Sequence, residues 1–335
     1  MKHSSVPFAR GLFPLLAGAI ALSAQTVFAA DGVQITKGDG ILRIEINGKL
    51  FTEYHFKDVP KPYYYPILGP DELAMTRKWP MENPPAEEHD HVHHRSLFYG
   101  HQSVNGLDFW DEEPKACKTV HTGFQEIKSG AEMGVIKSTD NWIAQDGKVI
   151  CTDERTFRVY NKPDNERLFD FDITIHAQPD KDLVFGDEKD GTMAIRVAES
   201  MRLKHKTGPG DGHIVMSTGV RDGETWGKRA DWCDYYGPVG GKIVGVAIFD
   251  NPANPRHPTW WHVRDYGLFA ANPYGVHEFE KKPKGTGDMT IPAGKSVTYR
   301  YRFYLHEGDE QQAHVAKEYE QYATTRFNDL DGAPK

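Results

Sequence analysis

The chain has 335 residues, and its 40 Lys and Arg against 48 Asp and Glu leave a formal net charge of −8. That balance argues against nucleic acid or an anionic membrane surface as partner, because both bind net basic proteins. The 32 Gly and 21 Pro mark a turn-rich chain that still falls short of the low-complexity range, and the length suits one large domain with a sizeable core.

Lys2 and Arg10 give the amino end a positive start, Gly11 to Ala24 form a short apolar run, and Val27-Phe28-Ala29 supplies a small-x-small cleavage pattern. Residues 1–30 are therefore expected to be an export signal cut near Ala29 or Ala30. Its removal takes two bases and no acid, leaving 38 bases against 48 acids, or −10. The apolar run is shorter than the roughly 20 residues of a membrane span, and no later segment is long enough, so a periplasmic or secreted protein without membrane insertion is expected. There, Cys117, Cys151 and Cys233 allow one disulfide at most, and their spacing is that of neither a metal knuckle nor a redox pair.

From residue 31 onward the dominant period is two. Leu42, Ile44 and Ile46 alternate with Arg43 and Glu45; Phe169, Phe171, Ile173 and Ile175 alternate with Asp170, Asp172, Thr174 and His176; Val297, Tyr299, Tyr301, Phe303 and Leu305 alternate with Thr298, Arg300, Arg302, Tyr304 and His306. Each pattern predicts a strand with one buried and one wet face. Further strands are expected over 133–139, 149–159, 193–199 and 243–249, ten or more in all, and the lack of helix-length crossovers predicts antiparallel pairing. Long loops are expected at 57–90 and 205–240, and one helix over 310–325, where Ala313, Ala316, Tyr319 and Ala323 form a stripe. The resulting fold class is all-β: a large antiparallel β-sandwich with a C-terminal helix, one domain over 31–335.

Chemistry concentrates in one window. Histidine makes up 16 of 335 residues, so six consecutive positions should hold fewer than one, yet His89-Asp90-His91-Val92-His93-His94 holds four. Downstream, Val104-Asn105-Gly106-Leu107 signals a two-residue hairpin turn. Pairing Val104 with Leu107 puts His91, His93, Arg95, Tyr99, His101, Ser103, Asp108 and Trp110 on one polar face. Val92, His94, Phe98, Val104, Leu107 and Phe109 fall on the opposite, apolar one. The polar face is the expected functional surface. On a straight strand His93 and His101 would lie roughly 26 Å apart, too far to share a metal. His91 and His93, roughly 6.6 Å apart, could chelate a divalent metal as an HxH pair. Imidazole also suits acid/base work near neutrality, and a Pro-led run from Pro84-Pro85 to His94 is equally compatible with a solvated loop.

The catalytic candidates are His93, His94, His101, Asp108 and His262, the last from the run Trp260-Trp261-His262-Val263-Arg264-Asp265-Tyr266. The substrate-binding candidates are Arg95, Trp110, Arg264 and Tyr266, because aromatic faces stack on sugars and Arg binds carboxylates through paired hydrogen bonds. Asp170 and Asp172 read as a solvated strand face or as ion-pair partners of Arg300 and Arg302, ahead of paired acids.

The segments HVHHRSLFYGHQSVNGLDFW at 91–110, FGDEKDGTMAIRV at 185–197, ETWGKRADWCDYYGP at 224–238 and DNPANPRHPTWWHVRDYGLFAANPYG at 250–275 resemble the bacterial family known as methane oxygenase PmoA-like, a domain of unknown function. The resemblance covers nearly all of the chain after the signal. It implies an exported β-rich protein associated with sugar degradation, with a fold similar to galactose-mutarotase-like supersandwiches. Three functions stay open. One is a carbohydrate-active lyase, hydrolase or epimerase acting on a small molecule or glycan through His acid/base groups and Arg. Another is a metal-dependent oxygenase or hydrolase with His91 and His93 as ligands. The third is a noncatalytic glycan-binding module.

Overall fold

The computed structural model describes residues 1–3, 31–114 and 116–325, so the expected export signal lies almost wholly outside the described residues. Two eight-stranded sheets carry the fold. In spatial order the first runs Val33–Lys37, Ile41–Ile46, Lys49–His55, Tyr63–Ile67, Leu97–His101, Gly191–Arg196, Leu268–Asn272 and Trp260–Val263. The second runs His213–Met216, Trp232–Val239, Lys242–Asp250, Ser296–Glu307, Glu166–Ala177, Val149–Tyr160, Met133–Ile143 and Lys118–Lys128. Every pairing within both is antiparallel. The expected antiparallel sandwich with a C-terminal helix is what the chain forms.

The alternating apolar residues build the interior. Leu42, Ile44 and Ile46 from the first sheet join Phe169, Phe171, Ile173, Ile175, Tyr299, Tyr301, Phe303 and Leu305 from the second in one buried cluster. Aromatic rings bridge the sheets, with Phe51 5.6 Å from Phe169 and Tyr64 stacked on Phe157 at 4.1 Å. Burying large apolar and aromatic side chains on both inner faces is the main force that holds such sheets together. Near one edge the interior also holds a charged group: Arg155 grips Asp153 through two bonds of 2.9 Å and lies 2.8 Å from Asp140.

The outer face of the second sheet departs from the wet face expected there. Asp170 and Asp172 are buried, because Arg302 donates to Asp170 at 2.6 Å and Arg158 to Asp172 at 2.7 Å while the helix Val315–Ala323 covers the network. The helix lays Tyr319 and Tyr322 on Phe249, with ring distances of 5.7 and 6.0 Å. Arg300 also approaches Asp172, so the ion-pair reading of these two acids holds. The segments expected as loops contain strands: Tyr63–Ile67 within the first, His213–Met216 and Trp232–Val239 within the second. All three cysteines are free and buried.

Candidate functional site

The site is built on the outer face of the first sheet, where pairing register places side chains in rows. Tyr63 pairs with Phe98, Phe98 with Ala194, Ala194 with Ala270, and Ala270 with His262. One row across four strand pairings therefore reads Tyr63, Phe98, Ala194, Ala270, His262, all on the same face. The two alanines are fully buried in a small apolar cluster with Tyr63, Phe98, Trp110 and Leu268. Two residues further along, Arg196 pairs with Leu268, whose carbonyl accepts from the Arg264 amide at 2.7 Å, so Arg196 and Arg264 flank the same row.

The histidine run folds over this face. His91 and Ser96 adopt positive φ of 42° and 58°, breaking the straight strand that would have separated His93 from the sheet. Four rings then stack in sequence: Tyr266 on His91 at 5.1 Å, His91 on His94 at 4.7 Å, and His94 on Phe98 at 6.1 Å. His93 meets His94 edge-on at 4.5 Å. His89 lies apart from these, stacked on Trp79 at 4.2 Å.

Contacts at Nδ1 distinguish the imidazoles. His93 Nδ1 lies 3.1 Å from an Asp111 carboxylate oxygen, an ion-pair distance. His262 Nδ1 lies 2.6 Å from the Lys189 carbonyl, an acceptor only, so it donates there and Nε2 carries the lone pair. His94 Nδ1 accepts from Arg196 at 3.1 Å. Burial pulls His93 down to about 3 and His262 down to about 4, with the charges of Lys61 and Arg264 adding to the respective shifts. His94 falls well below the usual histidine range through burial and the adjacent Arg196. All three are neutral at pH 7.

Asp190 links the two sides. Its carboxylate lies 3.8 Å from His262 Nδ1, forms an ion pair with Lys189, and acts electrostatically on His93, Asp111 and Tyr266. Beneath Tyr266, Asp90 receives Arg77 and lies 3.0 Å from His91 Nδ1, with Arg196 at 3.5 Å. Arg77, Asp90, Asp111, Asp190 and Arg196 escape a reading of the sequence. The one available signal is the polar run Asp187-Glu188-Lys189-Asp190 directly before a strand.

Several expectations change. The Asn105-Gly106 turn forms, with Val104 and Leu107 exchanging bonds of 2.9 and 3.1 Å, but the ladder stops there. Phe109 N donates to His101 O at 3.0 Å, one residue out of the predicted register, while Gln102 N goes to Asp190 O and Cys117 N to Asp108 O. His101 consequently points into the interior, 5.5 Å from Phe185 and 5.0 Å from Tyr274. Tyr99 lies in the core as well, so the polar face expected to carry function is the wrong one. The outer side of this strand is the one that bears Phe98. Asp108 accepts from the amides of Trp110 and Asp111 at 2.8 and 3.0 Å, which fixes the turn that presents Asp111. Trp110 is fully buried against Phe98 and His94 and serves as a wall. Arg95 is engaged by Glu112 at 2.8 Å, with Lys61 on the same carboxylate at 3.2 Å. Arg264, Tyr266, His262, His91 and His93 do come together. As a metal pair, His91 and His93 turn Nδ1 toward Asp90 and Asp111, and among the described residues no group of three or more His, Cys, Asp or Glu is arranged to hold a metal ion.

A family model described as "Family of unknown function (DUF6807)" matches residues 42–320, which upholds the expected resemblance as far as a domain of unknown function goes. No curated protein matches the sequence. Among solved structures, the chain is similar to a galactose mutarotase related enzyme from Lactobacillus acidophilus, at 10% identity over 82% of this chain and 97% of that one, with a TM-score of 0.35. It is also similar to a GalM/aldose epimerase homologue from C. elegans, at 7% identity over 84% and 100% of the two chains, with a TM-score of 0.32. Likeness at this level carries no argument about chemistry, which has to come from the site itself.

Proposed function

The chain belongs to the family of unknown function DUF6807, and from its own site we propose that it is a carbohydrate-active enzyme performing general acid/base chemistry on a sugar-sized substrate. The observation that carries this reading is the pair of neutral imidazoles on one outer sheet face, His93 with Nδ1 3.1 Å from Asp111 and His262 with Nδ1 donating to the Lys189 carbonyl. Asp111 orients His93 and steadies the imidazolium formed when Nε2 takes a substrate proton. His262, beside Asp190, is the second group through which a proton is exchanged.

Two neutral imidazoles on one sheet face favour proton abstraction and return, as in an epimerase or lyase. Glycoside hydrolysis calls for a pair of acids flanking the bond. The Lys2 to Ala29 pattern supports a site of action outside the cytoplasm, and the substrate in this reading is a small saccharide or glycan. Turnover against a panel of mono- and polysaccharides tests the reading. On the substrate so found, His93→Ala should lower kcat by about 10²- to 10⁴-fold with the melting temperature unchanged. Full activity in that variant would refute it.

A further inference from the structure

Arg264 stands out by what surrounds it. Arg95, Arg202, Arg221 and Arg302 each hold a carboxylate. The Arg264 guanidinium instead lies between two rings, 5.6 Å from Trp226 and 5.4 Å from Tyr266, and among the described residues no carboxylate reaches ion-pair distance of it. Asp222 and Asp265 border the same cavity of about 250 Å³, yet neither is within that reach. In a chain of net charge −8, a half-buried cation without an acid is open to an external anion.

The surroundings strengthen this. Arg77 and Arg196 are both fully buried behind Tyr266 and share the single carboxylate Asp90, so one positive charge remains uncompensated. Two nitrogens of Arg196, Nε and Nη2, are buried without a hydrogen bond, and the guanidinium lies 4.7 Å from the Tyr266 ring. The positive field is felt by its neighbours: Arg196 is pulled down to about 10, first by burial and then by Arg77. Asp190, which also acts on Tyr266, is paired with Lys189. His93 and His262, being neutral, neither add to this charge nor cancel it.

We infer that the substrate is an acidic sugar whose carboxylate docks on Arg264, beside the sheet face that carries His93 and His262. The two rings lie within cation–π range of the guanidinium, and its planar fork can make paired hydrogen bonds to a carboxylate. This rests on the acid/base reading above and adds the substrate class to it.

Calorimetric titration of the purified protein with D-glucuronate and D-galacturonate, against D-glucose and D-galactose, decides the matter. The uronates should bind about ten- to a hundredfold more tightly than their neutral counterparts, and added NaCl should shrink the advantage. Arg264→Gln, with circular dichroism matching the parent, should bring the ratio close to one. Arg264→Lys should fall between, because it keeps the charge and loses the planar fork. Equal affinity for acid and neutral sugars, a ratio unchanged by Arg264→Gln, or no saturable uronate binding overturns the inference. If neutral sugars are turned over in a His93-dependent way without acid preference, only the substrate class fails. If uronates bind through Arg264 while His93→Ala keeps full turnover, only the acid/base reading fails.

Discussion

His101 and His93 are the same residue type on one short stretch of chain, yet they do opposite things. His101 Nε2 binds the Gly186 carbonyl at 2.7 Å, its Nδ1 is buried without a partner, and burial pulls it down to about 4. The ring is core packing with a stability consequence. The unfolded chain binds a proton on this residue below about pH 6.5 and the folded one only near 4, so the stabilisation is full above 6.5 and is lost as pH falls toward 4. Between pH 7 and pH 5 the parent should therefore lose about 2 kcal/mol more stability than His101→Asn. Urea unfolding at the two pH values measures it, and equal slopes would remove His101 from the acid sensitivity. The histidine run was legible as unusual from composition alone, and His93, His262, Arg264 and Tyr266 were found by residue type. Asp190, Arg196 and Asp111 were not, because isolated acids and bases carry no local pattern and reach the site only through strand register.

Among the elements, strands with strict alternation were readable, since one face meets the core and the other meets water or charge. Trp232–Val239 was not, because Trp232, Cys233, Asp234 and Tyr235 are all buried and alternation vanishes when both faces are covered. The C-terminal helix was readable by its stripe, but its start at Val315 falls five residues late. His314 sits at positive φ of 53°, and Asp309 accepts from the amides of Gln311 and Gln312, so 309–314 form turns ahead of the helix. Tyr322 is the residue that attaches it: the ring packs on Phe249 and over the Arg302 guanidinium at 4.8 Å. Tyr322→Ala should cost about 3 kcal/mol by opening both contacts and wetting the Arg302–Asp170 pair. A urea midpoint within error of the parent would show that the helix is only an appendage.

At the scale of the molecule the two sheets divide the labour. The second sheet's outer face is closed by the helix and by ion pairs, and the first sheet's outer face carries the candidate site. Between them runs a single apolar cluster drawn from both sheets, so the site stands on a surface whose rigidity comes from behind it. This arrangement lets function and stability be separated by mutation. His93 and Arg264 project from the outer face, and their removal leaves the cluster intact. Tyr64 reaches inward to stack on Phe157 at 4.1 Å across the sheets, and Tyr64→Ala opens a cavity in the shared interior. That variant should lose about 3–5 kcal/mol, which for a chain of this size is a drop in Tm of roughly 10 °C. Tryptophan fluorescence and far-ultraviolet circular dichroism should still report one coincident transition, because Trp142 and Trp261 of the two sheets belong to the same cluster. Two separated transitions would mean that each sheet holds its own core, and the outer-face site would then depend on the first sheet alone.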